Sequence, residues 1–278
     1  KKRVITGAAL LIFVVAVIWL AFYLHIVERF LSTVAFIIVI GVAVESYFIL
    51  KEKTKSLYAC FLTFGSLLPA LGSWIDTAVR QSKSFPLFTS SLIIFLLFQA
   101  VVLLIQSEKS DRLEQYDFKG EFFLFVLLGV GGGSLVLLAG WKGVPYLLIW
   151  LIAVVASADT AAYFAGKAYG RRKLSPSISP SKTVEGSLTG LLAAGVVGFL
   201  IYRFFNWGAG LSISPWQGVV WAVITALTSQ VGDLCQSAFK REFGVKDSSK
   251  ILPGHGGIMD RIDGLLFAAA FITAVNFI

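Results

Sequence analysis

Apolar runs of about 20 residues recur along this chain, and they limit the fold more than any other feature of the sequence. A run of this length matches the roughly 20 residues that an α-helix needs to cross the hydrocarbon core of a bilayer. Because lipid leaves an open backbone without hydrogen-bond partners, the runs predict an all-α polytopic membrane protein with about nine transmembrane helices. The runs span residues 4–24, 30–50, 57–75, 85–105, 121–140, 145–165, 185–205, 216–239 and 262–278.

The composition agrees with residence in lipid. Hydrophobic residues make up 57% of the chain and charged residues 14%, whereas a soluble domain carries about 25% charged residues. The first run follows Lys1-Lys2-Arg3, as in a secretory signal peptide. It is longer than the apolar core of such a peptide, which has about 7 to 15 residues, so we interpret it as the first membrane anchor.

The basic residues are distributed unevenly between the two sides of this arrangement. With nine spans and a cytoplasmic N-terminus, 19 of the 24 Lys and Arg residues fall in cytoplasmic segments and 5 fall outside. Short cytoplasmic loops collect Lys and Arg, so the asymmetry predicts this orientation in the cell membrane. It also explains the net charge of +8 without a nucleic-acid partner.

The polar residues divide the chain into two regions. Residues 1–112 are predicted to form an N-terminal transmembrane region, and residues 113–278 a catalytic transmembrane region that carries both cytoplasmic motifs. In the first region Glu45 lies inside an apolar helix, where a carboxylate is either functional or bound to a structural partner. Cys60 and Cys235 have no CxxC partner, so we expect neither a disulfide nor a zinc site.

The first group of residues that suggests chemistry lies between Asp233 and Asp263. Its first members are spaced so that they share one face of a continuing helix. A glycine-rich loop follows, and two carboxylates three residues apart then open the last helix. Carboxylates that alternate with Lys and Arg are typical of a metal-bound polyphosphate site. The group comprises Asp233, Ser237, Lys240, Arg241, Lys246, Asp247, His255, Gly256, Gly257, Asp260, Arg261 and Asp263.

A simpler interpretation of this group stays open. Its Lys and Arg residues also mark the cytoplasmic face, and its acids would then only pair with them. Asp233 lies in an otherwise apolar segment, where its burial requires a partner or a metal. A single loop histidine such as His255 serves more often as a hydrogen-bonding scaffold than as a base.

The second group follows a helix that contains Asp159 and ends at Gly170. Two Ser-Pro pairs stiffen the next segment, which is predicted to be an extended loop. Lys182 and Thr183 are candidates for phosphate binding, and Glu185 for a metal, a sugar hydroxyl or a base. Thr183 and Glu185 are equally compatible with capping the next helix. No P-loop pattern occurs, so a nucleotide is not held in that way.

These residues resemble the signature of the phosphatidate cytidylyltransferase family. The resemblance extends over Ser237-Ala-Phe-Lys240-Arg241, Lys246-Asp247-Ser-Ser249 and Leu252-Pro253-Gly-His255-Gly256-Gly257-Ile258-Met-Asp260-Arg261-Ile262-Asp263, with matching spacings. The segment Ser179-Pro180-Ser-Lys182-Thr183-Val-Glu185-Gly186 is similar to the second motif of the family. One departure is Gln236, where members of the family often have Glu. The resemblance therefore implies no metal ligand at position 236.

The resemblance implies transfer of a cytidylyl group from CTP to phosphatidic acid at a cytoplasmic site, with Mg²⁺ and with a second cation left open. It also implies phospholipid biosynthesis, contact with membrane lipid and a homodimer. We predict Asp233, Asp260 and Asp263 as metal ligands. The predicted catalytic residues are Asp233, Lys240, Arg241, Lys246, Asp247, His255, Asp260, Arg261 and Asp263. The predicted substrate-binding residues are Ser179, Lys182, Thr183, Glu185, Ser237, Gly256 and Gly257.

Two other functions stay open at this point. A CTP-dependent lipid kinase would share the metal, the nucleotide and the membrane, but it would transfer the γ-phosphate. An ion-coupled transporter would use the intramembrane acids Glu45, Asp159 and Asp233 as an ion path. A transporter needs no His-Gly-Gly loop between paired carboxylates, and the two halves of the sequence show no clear repeat.

Overall fold

The computed structural model describes most of the second half of the chain and part of the first. Several features named above lie outside the described residues: the first anchor, most of the run at 85–105, Cys60 and His255. The described residues are 27–51, 63–80, 88–91, 93, 122–141, 145–205, 214–249, 251 and 256–277.

The described part of the chain is mainly helical. Two stretches have wider, π-helical turns: Ile75–Arg80 continues the helix Leu68–Trp74, and Phe125–Gly132 precedes the helix Gly133–Gly140. In chain order the elements are α1 (Val27–Leu50), α2 (Leu68–Trp74), α3 (Gly133–Gly140), α4 (Pro145–Tyr169), β1 (Lys173–Ser175), β2 (Ser179–Thr183), α5 (Val184–Phe205), α6 (Pro215–Glu242) and α7 (Met259–Phe277).

Five of these helical stretches are long and apolar enough to cross a membrane. They are Val27–Leu50, Phe122–Gly140, Leu147–Tyr169, Val184–Ile201 and Pro215–Glu242. Each overlaps one of the nine predicted runs, which confirms the prediction of a helical membrane protein. Helix α7 overlaps the ninth run and begins three residues before its predicted start.

Small residues allow the helices to approach one another closely. Lipid provides no hydrophobic drive between helices, so their association depends on close packing and on hydrogen bonds. A Cβ atom on Gly190 of α5 would lie 2.7 Å from the carbonyl oxygen of Ala158 in α4. A Cβ atom on Gly131 would lie 2.9 Å from the carbonyl oxygen of Leu266 in α7. Glycine at these positions therefore sets the distance between neighbouring backbones.

The segment between α4 and α5 differs from its prediction. In place of an unpaired loop, β1 and β2 form an antiparallel hairpin, with Lys173 opposite Thr183 and Ser175 opposite Ser179. The backbone N–H of Val184 donates to the carbonyl oxygen of Arg172 at 2.9 Å and closes the hairpin at the start of α5. The extended backbone that the prolines favour here finds its hydrogen-bond partners within the same segment.

The polar segments converge at one end of the helices. Lys182 in the hairpin reaches Asp233 in α6, and Lys240 near the end of α6 reaches Asp260 at the start of α7. Near the C-terminal end of α1, Glu45 contacts the segment that joins α6 to α7. The fold thus gathers residues from four elements into one candidate site.

Alanine at Gly264 is expected to separate α6 from α7 and to destabilise the protein. The new Cβ atom would lie 2.3 Å from the hydroxyl of Ser229 and 3.0 Å from its carbonyl oxygen. Overpacking of this kind costs about 1–3 kcal/mol, so the midpoint of thermal unfolding in detergent should fall. Gly195→Ala is the matched control, because its Cβ atom would lie 3.3 Å from a Val223 methyl group. Equal midpoints for the two variants would contradict the prediction.

Candidate active site

An ion pair between the hairpin and α6 forms the first part of the site. The ammonium group of Lys182 lies 2.5 Å from the carboxylate of Asp233. Both side chains are partly accessible, with 25% and 39% of their surface exposed. The Ser237 hydroxyl, one helical turn further along α6, lies 3.5 Å from the same carboxylate. Asp233 therefore has the partner that its apolar surroundings require; solvent reaches parts of both side chains, whereas the ammonium nitrogen of Lys182 is itself buried.

Negative charge accumulates around this ion pair. The carboxylates of Asp159 and Asp263 both repel the carboxylate of Asp233, and Lys182 attracts both of them. The close approach of α6 and α7 at Gly232 and Gly264 contributes to this grouping, since a Cβ atom at either glycine would collide with the opposite helix. Asp159 and Asp263 thus both feel the charges of Asp233 and Lys182, and Lys240 also attracts Asp263, so a further cation would be attracted to this part of the site.

A second ion pair lies deeper, between α6 and α7. The ammonium group of Lys240 donates to Oδ1 of Asp260 at 2.6 Å, and both side chains are 11% exposed. The backbone N–H groups of Ser248 and Gly257 donate to Oδ2 at 2.9 and 3.1 Å. Gln236 points its amide nitrogen at Oδ1 from 3.5 Å. Both oxygens of Asp260 are thus occupied by donors from the protein.

These contacts decide the charge state of Asp260. Burial opposes ionisation, but the Lys240 ammonium and the two backbone N–H groups outweigh it. The pKa of the Asp260 carboxyl therefore lies below its ordinary value. Asp260 is an ionised residue that holds the start of α7 against the end of α6.

Thr183 and Glu185 shape the base of the hairpin. The hydroxyl of Thr183 accepts a hydrogen bond from the backbone N–H of Gly186 at 3.2 Å, which is a helix-capping contact. The carboxylate of Glu185 accepts from the backbone N–H groups of Arg171 and Arg172 at 3.0 and 3.2 Å. Both residues therefore have structural partners, and their predicted contact with substrate stays a prediction.

Most of the remaining predicted residues lie around the two ion pairs. Arg241 is exposed, and its guanidinium donates to the carbonyl oxygen of Val245 at 3.2 Å. Gly256 has a positive φ of 84°, a conformation that favours glycine. Ser179 opens β2 and is half-buried. Lys246, Asp247 and Arg261 are exposed near the start of α7 and the end of α6.

The sequence left the role of Glu45 open between a functional and a structural one, and the structure shows which groups its carboxylate contacts. Its side chain is buried, with 1% of the residue exposed. It accepts hydrogen bonds from the hydroxyl groups of Ser248 and Ser249 at 2.8 and 2.7 Å. The backbone N–H groups of Ile258 and Met259 also donate to it, each at 2.8 Å. Neither serine was singled out as a site residue from the sequence, because a serine in a loop gives no local signal of such a partner.

The acidic residues of the site suit a cation that is bound jointly by protein carboxylates and by substrate phosphates. Among the described side chains, no group of three His, Cys, Asp or Glu residues could hold a metal ion. Mg²⁺, however, commonly binds through one or two carboxylates together with substrate phosphates. Asp233 and Asp263 fit that pattern because they repel each other and need positive charge. At Asp260 a metal would have to displace donors that are already hydrogen-bonded.

Comparison with known proteins places these features in a family. A model of the cytidylyltransferase family matches residues 1–278. A Staphylococcus saprophyticus protein named phosphatidate cytidylyltransferase is 36% identical over 227 residues, which are 80% of this chain and 83% of the relative. Proteins of the same name from Brucella suis and Haemophilus influenzae are 41% identical over 181 residues and 43% over 132 residues. These matches cover 64% and 48% of this chain, and 62% and 46% of the relatives.

The fold and the site together define a helical membrane protein with two lysine–carboxylate pairs at one end of its helices. The family match covers every one of the motifs that carry this site. The chain belongs to the cytidylyltransferase family. The resemblance inferred from the two motifs is thereby confirmed.

Proposed function

We propose that this protein transfers a cytidylyl group from CTP to phosphatidic acid, forming CDP-diacylglycerol and pyrophosphate for phospholipid biosynthesis. The observation that carries the proposal is the placement of Lys182–Asp233 beside Lys240–Asp260 at one end of membrane helices. Such a site offers cations for two phosphate-bearing substrates where one of them, a lipid, is confined to the membrane. The family of the chain and the names of its relatives support the same reaction.

The reaction needs no general base. A phosphate monoester loses its second proton with a pKa near 6, so phosphatidate is mostly a dianion at neutral pH. Its oxygen attacks the α-phosphorus of CTP and forms the new P–O bond. The bond from the α-phosphorus to the oxygen that bridges to the β-phosphate breaks, and pyrophosphate leaves with that electron pair. The protein must chiefly bring two anions together.

The cationic side chains take on that task. Lys182 and Thr183 are proposed to bind one side of the nucleotide, next to Ser179 and Ser237. Lys240, Arg241, Lys246 and Arg261 would neutralise the phosphates of CTP and of the lipid. Three of the four, Arg241, Lys246 and Arg261, are exposed, whereas Lys240 is held by Asp260. We therefore assign the first contacts with phosphate to the exposed residues.

Mg²⁺ would be held by Asp233 and Asp263, with substrate phosphates completing its coordination. When bound, it would neutralise charge that develops on the phosphate oxygens. Asp260 as a third ligand, and a second cation, stay predictions. His255 and Asp247 are retained as predicted residues of the same site.

We also propose the finer topology: nine spans, a cytoplasmic N-terminus and an active site that faces the cytoplasm. The predicted cytoplasmic segments that follow α4 and α6 lie at one end of the helices, near Glu45 in the C-terminal part of α1. Each span carries the chain to the opposite side of the membrane. If one span between these segments had been missed or added, the segments would lie at opposite ends of the helices, so their shared location supports the topology. The division into residues 1–112 and 113–278, and a homodimer, are part of the same proposal.

Purified protein should release pyrophosphate when it is given CTP, phosphatidic acid and Mg²⁺ together in detergent. Omission of either substrate should abolish the release, and ATP or diacylglycerol should not replace CTP or phosphatidate. CDP in place of pyrophosphate would favour a CTP-dependent lipid kinase. Absence of both products, with ion flux into proteoliposomes, would favour a transporter.

A further inference from the structure

Glu45 lies in the first described helix, yet its hydrogen-bond partners among the described residues belong to the segment that joins α6 to α7 and to the first residue of α7. The partners are 203 to 214 residues away in sequence. Each carboxylate oxygen accepts one serine hydroxyl and one backbone N–H. An ionised carboxylate has only acceptor sites, so it suits four donors better than any neutral side chain of its size.

The four donors form two anchor points on the joining segment. Ser248 and Ser249 lie before its glycine-rich part, whereas Ile258 directly precedes α7 and Met259 is its first residue. The first N–H groups of a helix lack partners within the helix, and a carboxylate at this end also interacts favourably with the helix dipole. Glu45 therefore caps α7 from another helix and ties both ends of the segment together.

The same segment supplies two of the donors to Asp260. Ser248 donates its hydroxyl to Glu45 and its backbone N–H to Asp260, at 2.8 and 2.9 Å. Gly257 donates its backbone N–H to Asp260 at 3.1 Å. A change at Glu45 that shifts Ser248 must therefore change the surroundings of the Lys240–Asp260 pair.

Gly257 and Ile258 pack closely against α1 around Glu45. A Cβ atom on Gly257 would lie 1.9 Å from the Ser248 hydroxyl and 2.5 Å from Oε2 of Glu45. On the other side, a Cβ atom on Gly41 would lie 2.9 Å from a methyl group of Ile258. The two glycines allow α1 and the joining segment to come within hydrogen-bonding distance of each other.

We propose that Glu45 is a positioning residue for the cytidylyl-transfer site. It contacts no reacting group; it holds the described part of the joining segment in the geometry that presents the Lys240–Asp260 pair and the Gly256–Gly257 turn. The proposal rests on the proposed function, and it assigns to helix α1 of the N-terminal region a direct part in the site.

Glu45→Gln is the main test. Glutamine keeps the volume but replaces one acceptor oxygen with an NH₂ group, which faces a hydroxyl and an N–H donor. We expect kcat to fall by about 10- to 100-fold, the usual cost of losing a residue that orients the ligands of a metal-dependent site. A displaced site loses interactions that it makes only with the transition state. For this reason kcat and kcat/KM should fall together. Glu45→Asp keeps the charge with a shorter reach and should recover part of the activity.

Ser46→Ala is the matched control for a purely structural role. Ser46 is the next residue of α1 and is also buried; its hydroxyl donates to the carbonyl oxygen of Val42 and lies 3.7 Å from the sulfur of Met259. Activities are compared at a temperature where thermal unfolding shows each variant to be folded. A loss of kcat in Glu45→Gln no greater than in Ser46→Ala would overturn the proposal.

Amide hydrogen exchange of the full-length protein in detergent provides a readout that does not depend on the reaction. Peptides covering residues 248–260 should exchange faster in Glu45→Gln than in the wild type and in Ser46→Ala. If the wild type makes no CDP-lipid but this exchange increases, the proposed function fails and the anchoring by Glu45 stands. If the wild type is active and neither exchange nor kcat responds to Glu45→Gln, the positioning role is refuted. Ser248→Ala, which removes one donor and keeps the carboxylate, should show a smaller change in the same direction.

Discussion

Asp233→Asn is expected to reduce turnover by at least about a hundredfold while the protein remains folded in detergent. Removal of a single group that stabilises charge in a transition state costs about 10²–10³ in kcat. Asp233 also pairs with Lys182 and lies among the acids of α4 and α7, so the substitution removes a proposed metal ligand and frees the lysine. Initial rates of CDP-lipid formation over a range of Mg²⁺ concentrations measure the effect.

The control for this substitution is Glu242→Gln, which makes the same chemical change at an exposed position on the same helix. It should leave turnover close to that of the wild type. A binding readout separates the metal from the chemistry: Mn²⁺ binding, followed by the loss of its free EPR signal, should be weaker in Asp233→Asn than in Glu242→Gln. Near-normal turnover of Asp233→Asn at ordinary Mg²⁺ concentrations would remove Asp233 from the metal site.

Lys240→Met is expected to have the largest effect on stability. The Lys240–Asp260 pair is nearly buried, with 11% of each side chain exposed. Removal of one partner from a buried pair leaves an uncompensated charge and costs about 3–5 kcal/mol. The midpoint of thermal unfolding in detergent should therefore fall well below that of Lys173→Met, which makes the same change at the exposed first residue of β1.

The double variant Lys240→Met, Asp260→Asn separates the structural role of the pair from its chemical role. Replacement of both charges by neutral groups of similar size is often close to neutral for stability, so much of the lost stability should return. Activity should not return, because the cation proposed to neutralise phosphate is absent. Recovery of turnover in the double variant would show that Lys240 serves structure alone, and an unchanged midpoint in Lys240→Met would contradict the burial of the pair.

Several features of the fold could be predicted from local sequence. The runs that became α1, α4, α5 and α6 stand out because a membrane span must be apolar along its whole length. The start of α7 was predicted to within three residues, because Asp260 and its neighbours mark the end of a polar loop. The hairpin of β1 and β2 was missed, since Ser-Pro pairs favour extended backbone without indicating which residues pair.

The candidate site was predicted in composition and only partly in arrangement. The spacing of Asp233 and Ser237 on one helical face holds in the structure. Arg241 follows on the same helix, where it is exposed and donates to the carbonyl oxygen of Val245. Asp260 was predicted as a metal ligand, and the structure surrounds both of its oxygens with donors. The variants of Lys240 and Asp260 described above distinguish the structural role of this pair from its role in the reaction.

The sequence by itself determined that this chain is a helical membrane protein and which polar residues its two motifs supply. Hydrophobicity and spacing are local properties, and the bilayer selects for them directly. Only the tertiary structure decided that Lys182 meets Asp233, that Lys240 meets Asp260 and that Glu45 anchors the segment before α7. In a membrane helix the face toward lipid and the face toward protein are both apolar. Hydrophobic periodicity therefore cannot indicate which helices pack together, and close contacts at glycines and buried hydrogen bonds decide it.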